Sequence, residues 1–167
     1  MERQDRPRRV VLVDIDGTVA DVSHRLHHVQ GRPRNWKRFF EGMDRDEPIT
    51  RVIEHVRKLA RDHDVVLFTG RPEPYRARTE AWLRAHNVPY TRLLMRPAGD
   101  RRPDYVTKRE MLRHVDHQRI ALAIDDRDPV CEMLRNEGIR VLEVHSDLEN
   151  QAVNDVYAES PEAPAAP

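Results

Sequence analysis

The sequence of 167 residues contains a single cysteine, Cys131, which excludes an internal disulfide. No motif surrounds Cys131, and we expect it on the buried side of a helix. The sequence has no apolar run of eighteen residues, and its charged N-terminus, MERQDRPRR, lacks the apolar stretch of a signal peptide. The G-x-x-x-x-G-K-[ST] loop that cradles ATP in many kinases is also absent. These absences predict a soluble, cytoplasmic protein without a kinase site of this type in this chain.

Lysine is scarce as well, since 26 of the 29 basic residues are arginine. Arginine binds phosphate with two parallel hydrogen bonds and stacks on bases, so this bias favours a nucleic-acid or nucleotide partner. Codon usage in a GC-rich genome would produce the same bias. The net charge is zero, but five acids and no basic residue lie between Asp147 and Pro167, which leaves residues 1–146 with a formal charge of +5. Positive charge of this kind attracts anionic substrates.

The chain length fits one α/β domain with a sizeable core, which we place at residues 10–146. Residues 1–9 form a basic lead-in, which we expect to be a frayed end rather than a nucleic-acid contact. Residues 147–167 form an acidic tail rich in Pro and Ala, and its end has the composition of a disordered segment. Residues 22–47 are predicted to form two short helices interrupted at Gly31-Arg32-Pro33, and these would be a small cap over the active site.

Apolar runs and helical periodicity alternate along the rest of the domain. The predicted strands are residues 10–13, 65–68, 93–95, 120–124 and 141–144, and the predicted helices are residues 48–60, 75–86, 107–115 and 129–136. Pro48 is placed at the first helical position because proline is well tolerated there. Strands that alternate with helices predict a doubly wound, parallel sheet.

Polar residues follow three of these strands at the point where each strand ends. Asp14 and Asp16 come after the first strand, and Gly17-Thr18 then predicts a tight turn whose amides can approach an anion. The second strand ends in Thr69-Gly70-Arg71, and the fourth ends in Asp125-Asp126. Open α/β sheets bind their ligands at the carboxyl ends of their strands, so we expect these residues at one site.

These residue types fit a phosphoryl transfer. Asp14 can attack phosphorus as a nucleophile, while Asp16 can protonate the leaving oxygen and later deprotonate water. Thr69 can hydrogen-bond a phosphoryl oxygen, and Lys108, on a predicted helix, can neutralise phosphate charge. Asp125 and Asp126 are suitable ligands for a hard cation such as Mg²⁺.

The order of strand-DIDGT, strand-TGR, Lys108 and strand-DD resembles the four motifs of the haloacid dehalogenase (HAD) superfamily. The runs FTGRPEPYRARTEAWLRAHNVPYTRLLMRPAGDRRPDYVTK and AIDDRDPVCEMLRNEGI are further similar to the 3′-phosphatase domain of bacteriophage-type polynucleotide kinase-phosphatase. The resemblance implies a HAD-like Rossmannoid fold, with a five-stranded parallel sheet flanked by helices and a small helical cap inserted between the first two motifs. It also implies Mg²⁺ bound by Asp14, by the backbone carbonyl of Asp16, and by the acidic pair, of which we expect Asp126 to be the direct ligand.

Two phosphate-binding arginines are implied by the same resemblance. They fall on Arg71 and on Arg25, although the variable length of the cap would also allow Arg32 or Arg34 in place of Arg25. The expected activity is therefore Mg²⁺-dependent removal of 3′-phosphates from DNA or RNA ends through an aspartyl-phosphate, with a kinase or ligase as a possible separate partner. The alternatives are a 5′(3′)-deoxyribonucleotidase and a nucleic-acid-binding module without catalysis.

The cap contains two further patterns. His24 and His28 are four residues apart and could share a zinc ion on one helix face, but the glutamate of zinc proteases is missing between them. Trp36, Phe39 and Phe40 could stack on a base, although packing within the cap is the preferred interpretation.

Overall fold

The structure is a computed structural model that describes residues 7–144. The predictions for the acidic tail and for most of the basic lead-in therefore lie outside the described residues. Within the lead-in, the Arg8 guanidinium donates to the backbone carbonyls of Ala60 and His63, at 2.7 and 3.0 Å. The first strand begins at Arg9, one residue before the predicted start. The end of the lead-in is thus bonded to the domain.

Five parallel strands form the central sheet, as predicted. The strands in chain order are β1 Arg9–Val13, β2 Ala20–Asp21, β3 Glu47–Pro48, β4 His63–Pro72, β5 Arg92–Arg96, β6 Ile120–Asp125 and β7 Val141–Glu143. The sheet has the order β5-β4-β1-β6-β7, while β2 and β3 form a separate antiparallel pair. The apolar strand β1 is central and pairs with β4 and β6, because a strand apolar on both faces is stable only when both faces are covered.

The helices flank the sheet and build the cap. They are α1 His27–Gln30, α2 Trp36–Glu41, α3 Thr50–Leu59, α4 Arg76–Ala85, α5 Asp104–Met111 and α6 Asp128–Asn136. Short 3₁₀ turns cover Ser23–Arg25, Met43–Arg45, Glu73–Tyr75, Leu112–His114 and His117–Arg119. None of the helices found between residues 7 and 144 is long and apolar enough to cross a bilayer.

Each face of the sheet has its own apolar core, because successive residues of a strand point to opposite faces. Val11 and Val13 pack with residues of α3 and α4, including Ile53 and Leu83. Val10 and Leu12 pack on the other face with residues of α5 and α6 such as Met111 and Leu134. Cys131 is buried on α6, which confirms its predicted position.

Three predicted elements have a boundary that is wrong by two residues or more. The helix predicted at residues 107–115 is α5 Asp104–Met111, because the chain already turns into a helix after Pro103, whose carbonyl accepts from the Thr107 amide at 3.2 Å. The helix after the cap begins at Thr50 and not at Pro48, because Pro48 pairs with Ala20 in the β2–β3 ladder. The second main strand continues to Pro72, so Thr69, Gly70 and Arg71 lie within β4 and not in a turn after it. Its pairing with β5 becomes irregular between Thr69 and Pro72. The β2–β3 pair itself was not predicted.

Candidate active site

The carboxyl ends of β1, β4 and β6 meet the first turns of α5, and the predicted site residues lie there. All of them except Gly70 are buried. They are Asp14, Asp16, Thr18, Arg25, Thr69, Arg71, Lys108, Asp125 and Asp126, with the half-buried Gly70 beside them. Arg25 is buried in this group, whereas Arg32 is exposed and Arg34 half-buried on the outer part of the cap. Of the three candidate arginines, Arg25 is therefore the one that lies among the predicted site residues.

Lys108 is the cation at the centre of three carboxylates. Its Nζ lies 2.8 Å from Asp14 Oδ1, 2.7 Å from Asp125 Oδ2 and 3.4 Å from Asp104 Oδ2. The ammonium also lies 4.6 Å from the centroid of the Phe68 ring. Burial would lower the pKa of Lys108, but the three carboxylates outweigh it and hold that pKa above its usual range. Lys108 is therefore a fixed positive charge beside Asp14.

Three carboxylates form the one group of possible metal ligands found within residues 7–144. Oxygen atoms of Asp14, Asp125 and Asp126 lie within 4.8 Å of one another, and all three residues are buried. Burial raises the pKa of Asp14 to about 7; Lys108 acts against this effect, and Asp125 adds to it. Burial, followed by the charges of Asp14 and Asp125, also raises the pKa of Asp126. A divalent cation would relieve this repulsion, and a set of carboxylate oxygens suits Mg²⁺.

The turn after Asp16 brings the β1 loop against this group. Gly17 has a φ of +80°, and a Cβ at this position would collide with the Asp126 carboxylate, so only glycine fits. Thr18 donates its hydroxyl toward Asp14 Oδ2 and Asp126 Oδ1, both at 3.3 Å. The Thr18 amide donates to the Ile15 carbonyl, at 3.1 Å. The Thr18 hydroxyl therefore positions two carboxylates, and contact of this turn with a bound anion stays a prediction.

Asp16 lies in a separate ionic network, against the cap. Its Oδ1 accepts hydrogen bonds from Arg71 Nη2 at 2.6 Å and from Arg25 Nη2 at 2.9 Å. Burial would raise the pKa of Asp16, but Arg71 and Arg25 outweigh it and hold that pKa well below its usual range. Asp14 and Asp16 are only two residues apart in the chain, but their surroundings raise the pKa of Asp14 and lower the pKa of Asp16.

The sequence analysis missed Asp46, which completes this network. Asp46 Oδ2 accepts from Arg25 Nη2 at 2.7 Å and from Arg71 Nη2 at 3.1 Å, and its Oδ1 accepts from Arg25 Nε at 2.7 Å. His24 Nε2 lies 2.7 Å from the same Oδ1. Two positive and two negative side chains therefore form a buried network between the cap and the sheet. We call this network the buried ionic square; its members are Arg25, Arg71, Asp16 and Asp46. No local motif marks Asp46, because its partners are far away in the chain.

Asp104 was missed as well. Its Oδ2 accepts from Arg127 Nη1 at 2.6 Å and its Oδ1 accepts from Arg96 Nη2 at 3.2 Å. Burial would raise the pKa of Asp104, but Arg127, Lys108 and Arg96 lower it to about 2. Asp104 lies four residues before Lys108, and residues i and i+4 share a helix face. This spacing could have indicated that Asp104 faces the site together with Lys108.

The hydroxyl and glycine of β4 occupy the edge of the same site. Thr69 Oγ1 accepts a hydrogen bond from the Arg71 amide at 3.1 Å, which leaves the hydroxyl proton available to a ligand. A Cβ at Gly70 would collide with Asp104 Oδ1, so the close approach of β4 to α5 requires glycine.

The structure tests the two further patterns of the cap, the possible base stacking and the possible zinc site. Trp36, Phe39 and Phe40 are buried together, which confirms packing within the cap over base stacking. His24 binds Asp46, and the part of the chain that the structure describes contains no metal-ligand group with His24 and His28.

Comparison with known proteins agrees with this geometry. Residues 8–148 match the family model of the polynucleotide kinase PNKP phosphatase domain. The sequence is also 29% identical over 134 residues to a protein of Autographa californica nuclear polyhedrosis virus, assigned as a bifunctional polynucleotide kinase/RNA ligase. That match covers 77% of this chain and 18% of the viral protein.

Solved structures show the same relationship. A chain from a Pnkp1/Rnl/Hen1 complex has a TM-score of 0.68 and 29% identity, covering 86% of this chain and 48% of that chain. A haloacid dehalogenase-like hydrolase from Streptococcus pneumoniae has a TM-score of 0.61 at 14% identity, covering 92% and 95% of the two chains. The second likeness concerns the fold alone. The chain spans less than half the length of the viral relative and of the chain from the complex.

The buried ionic square predicts a large effect of one substitution. Asp46→Ala leaves two buried guanidinium groups with one carboxylate, so we expect the free energy of unfolding to fall by about 3–5 kcal/mol. Asp44 is a matched control because its carboxylate pairs with Arg78 at the surface, where its side chain is 55% exposed. Asp44→Ala should cost about 0.2–1 kcal/mol. Equal losses of the two variants in urea unfolding would contradict the importance of the square.

Proposed function

Because this chain belongs to the polynucleotide kinase PNKP phosphatase-domain family of the HAD superfamily, we propose that it removes terminal 3′-phosphates from DNA or RNA ends. The reaction we propose is Mg²⁺-dependent and passes through an aspartyl-phosphate on Asp14. One observation carries the proposal: the Asp14 carboxylate contacts the Lys108 ammonium at 2.8 Å and has an oxygen atom within 4.8 Å of oxygen atoms of both Asp125 and Asp126. This arrangement provides a nucleophile, a fixed cation and the ligands of a second cation at one point.

The residues present fit the magnesium ion that the family implies. Asp14, Asp125 and Asp126 would hold it with their carboxylates, together with the backbone carbonyl of Asp16 that the resemblance assigned. Bound there, Mg²⁺ would supply positive charge for the phosphoryl oxygens and keep Asp14 ionised. Lys108 also favours the ionised form of Asp14, because its ammonium lies 2.8 Å from the carboxylate.

Asp14 and Asp16 divide the reaction between them. A carboxylate oxygen of Asp14 attacks phosphorus, the bond from phosphorus to the 3′-oxygen breaks, and Asp16 gives its proton to that oxygen. Water then attacks the aspartyl-phosphate, Asp16 takes a proton from the water, and inorganic phosphate leaves with Asp14 regenerated. Two steps thus replace one direct displacement.

The arginine pair controls the proton on Asp16. With Arg25 and Arg71 bonded to it, Asp16 is ionised, which is the form required to deprotonate water in the second step. A phosphate dianion entering the site brings negative charge, which raises the pKa of Asp16, and it also offers the guanidinium groups another acceptor. Substrate binding therefore favours the protonated Asp16 that the first step requires.

The remaining groups act on the phosphate itself. Lys108 neutralises charge that develops on the phosphoryl oxygens, and the Thr69 hydroxyl donates to one of them. Gly70 permits the close packing of β4 on Asp104, which keeps Thr69 beside the site. Thr18 fixes the orientation of Asp14 and Asp126 through its hydroxyl.

The comparisons support a nucleic-acid substrate. The viral relative is assigned as a polynucleotide kinase/RNA ligase, and the structural relative belongs to a Pnkp1/Rnl/Hen1 complex that a second solved structure describes as an RNA repair complex. Because the viral relative is assigned as a polynucleotide kinase/RNA ligase, we propose a kinase or a ligase as the partner of this phosphatase in end repair. A ligase would join the 3′-hydroxyl ends that phosphate removal creates to 5′-phosphate ends, and a polynucleotide kinase would supply those 5′-phosphates.

Phosphate release from defined substrates tests the proposed activity. We expect Mg²⁺-dependent release from a 3′-phosphorylated oligonucleotide, little release from a 5′-phosphorylated one, and none in EDTA. Asp14→Asn should lower the rate by at least about 10⁴-fold, because it removes the attacking carboxylate oxygen.

Other outcomes would contradict this assignment. Faster release from 5′-deoxynucleoside monophosphates would indicate a nucleotidase. Absence of release from all substrates, with retained oligonucleotide binding, would indicate a nucleic-acid-binding module. Full activity of Asp14→Asn would exclude the covalent mechanism.

The cluster of Asp14, Asp125 and Asp126 also predicts how Mg²⁺ affects the stability of the protein. Asp14 has a folded-state pKa of about 7 against 3.8 for an ordinary aspartate, so the folded protein binds more protons between those values. Its contribution to the free energy of unfolding therefore falls as pH rises through this window. Mg²⁺ competes with these protons, so the increase in Tm caused by MgCl₂ should be larger at about pH 8 than at about pH 5. Asp126→Asn should remove most of the increase, and an equal increase in both proteins would exclude the site.

A further inference from the structure

Tyr105 is the one exposed aromatic residue among Phe, Trp and Tyr between residues 7 and 144. Its side chain is 39% exposed, whereas the aromatic residues of the cap and of the sheet are buried and Tyr90 is partly buried. Within the described residues, the Tyr105 side chain has no hydrogen bond, ion pair or ring contact. The ring is thus available to a partner from outside the chain.

The position of Tyr105 connects it to the proposed active site. It is the second residue of α5, directly after Asp104 and three residues before Lys108. Asp104 and Lys108 both point into the site, where Lys108 lies 2.8 Å from Asp14. Since an α-helix has 3.6 residues per turn, Tyr105 lies about 60° around α5 from Lys108. Tyr105 therefore lies on the first turn of α5, beside the face that carries Asp104 and Lys108, and we place its ring at the rim of the site.

The proposed substrate places a base near this rim. A phosphate on a 3′-oxygen is attached to a sugar that also carries a nucleobase, and both must lie outside the closed group of carboxylates. Base stacking on an exposed aromatic ring contributes about 1–3 kcal/mol per base and tolerates any sequence. The cap aromatics cannot provide such a surface, because Trp36, Phe39 and Phe40 are buried against one another.

We propose that the ring of Tyr105 stacks on the nucleobase of the 3′-terminal nucleotide. This inference rests on the proposed function, because it takes the 3′-phosphate to be bound at Asp14. It predicts that the site prefers ends that carry a base over ends that carry only sugar and phosphate. Tyr105 would act on substrate binding, since its ring is outside the group of reacting atoms.

Two 3′-phosphorylated oligonucleotides that differ only at the last nucleotide test this inference. One carries a normal terminal nucleotide, and the other carries a stable abasic sugar in its place. The wild-type protein should prefer the first by about 5- to 150-fold in kcat/KM, which is the stacking energy converted to a ratio. Tyr105→Phe should keep this preference, and Tyr105→Ala should bring the ratio close to one by raising KM for the first substrate.

Leu142→Ala is the matched control. Leu142 is also exposed, at 43%, but it lines a cavity with Arg51 and His55 of α3, on the opposite face of the sheet from α5. Its substitution should leave the ratio unchanged.

The outcomes separate the two proposals. An unchanged ratio in Tyr105→Ala, or an equal loss on both oligonucleotides, would overturn the stacking inference and leave the 3′-phosphatase assignment in place. Failure of the wild-type protein to release phosphate from either oligonucleotide would overturn the proposed function and the stacking inference together.

Discussion

The repulsion between buried carboxylates at the ends of β1 and β6 is the interaction on which the rest of the site depends. Asp14, Asp125 and Asp126 are close enough to share one cation, and burial removes the water that would otherwise separate their charges. Lys108, which lies on α5, neutralises part of this negative charge. The remainder of the negative charge favours a divalent cation, which we propose binds at these three carboxylates. In that proposal, the groups that make the protein costly to fold without metal are the groups that would hold the metal beside the phosphate.

A second buried network keeps Asp16 apart from this group. Arg25 comes from the cap, Arg71 comes from β4, and Asp46 comes from the segment that leads out of the cap. Because both arginines bond Asp16 as well as Asp46, the cap is attached to the sheet by the residues that set the protonation of Asp16. The cap position and the chemistry of Asp16 are thus coupled. A phosphate that competes for these arginines would change both at once.

The sequence predicted the residues whose surroundings follow from local pattern. Asp14 and the Asp125-Asp126 pair follow apolar strands, and the carboxyl ends of parallel strands meet at one edge. Asp46 could not be found in this way, because its role depends on Arg71, which is 25 residues away. The start of α3 was misplaced for a similar reason: Pro48 fits the first turn of a helix, but the ladder with β2 holds it in an extended conformation. Long-range pairing overrode local preference at both positions.

Detection of a phosphoryl group on Asp14 would distinguish the proposed covalent mechanism from direct attack of water on the 3′-phosphate. The wild-type protein would be mixed with Mg²⁺ and a 3′-phosphorylated oligonucleotide, quenched in acid within the first turnover and at later times, and analysed by peptide mass spectrometry. Since the attack on phosphorus precedes the hydrolysis by water, the proposed mechanism predicts a phosphoryl group on Asp14 in the early samples that is lost once the substrate is consumed. A phosphoryl group on another residue, or loss of phosphate from the oligonucleotide with none attached to Asp14, would contradict the account.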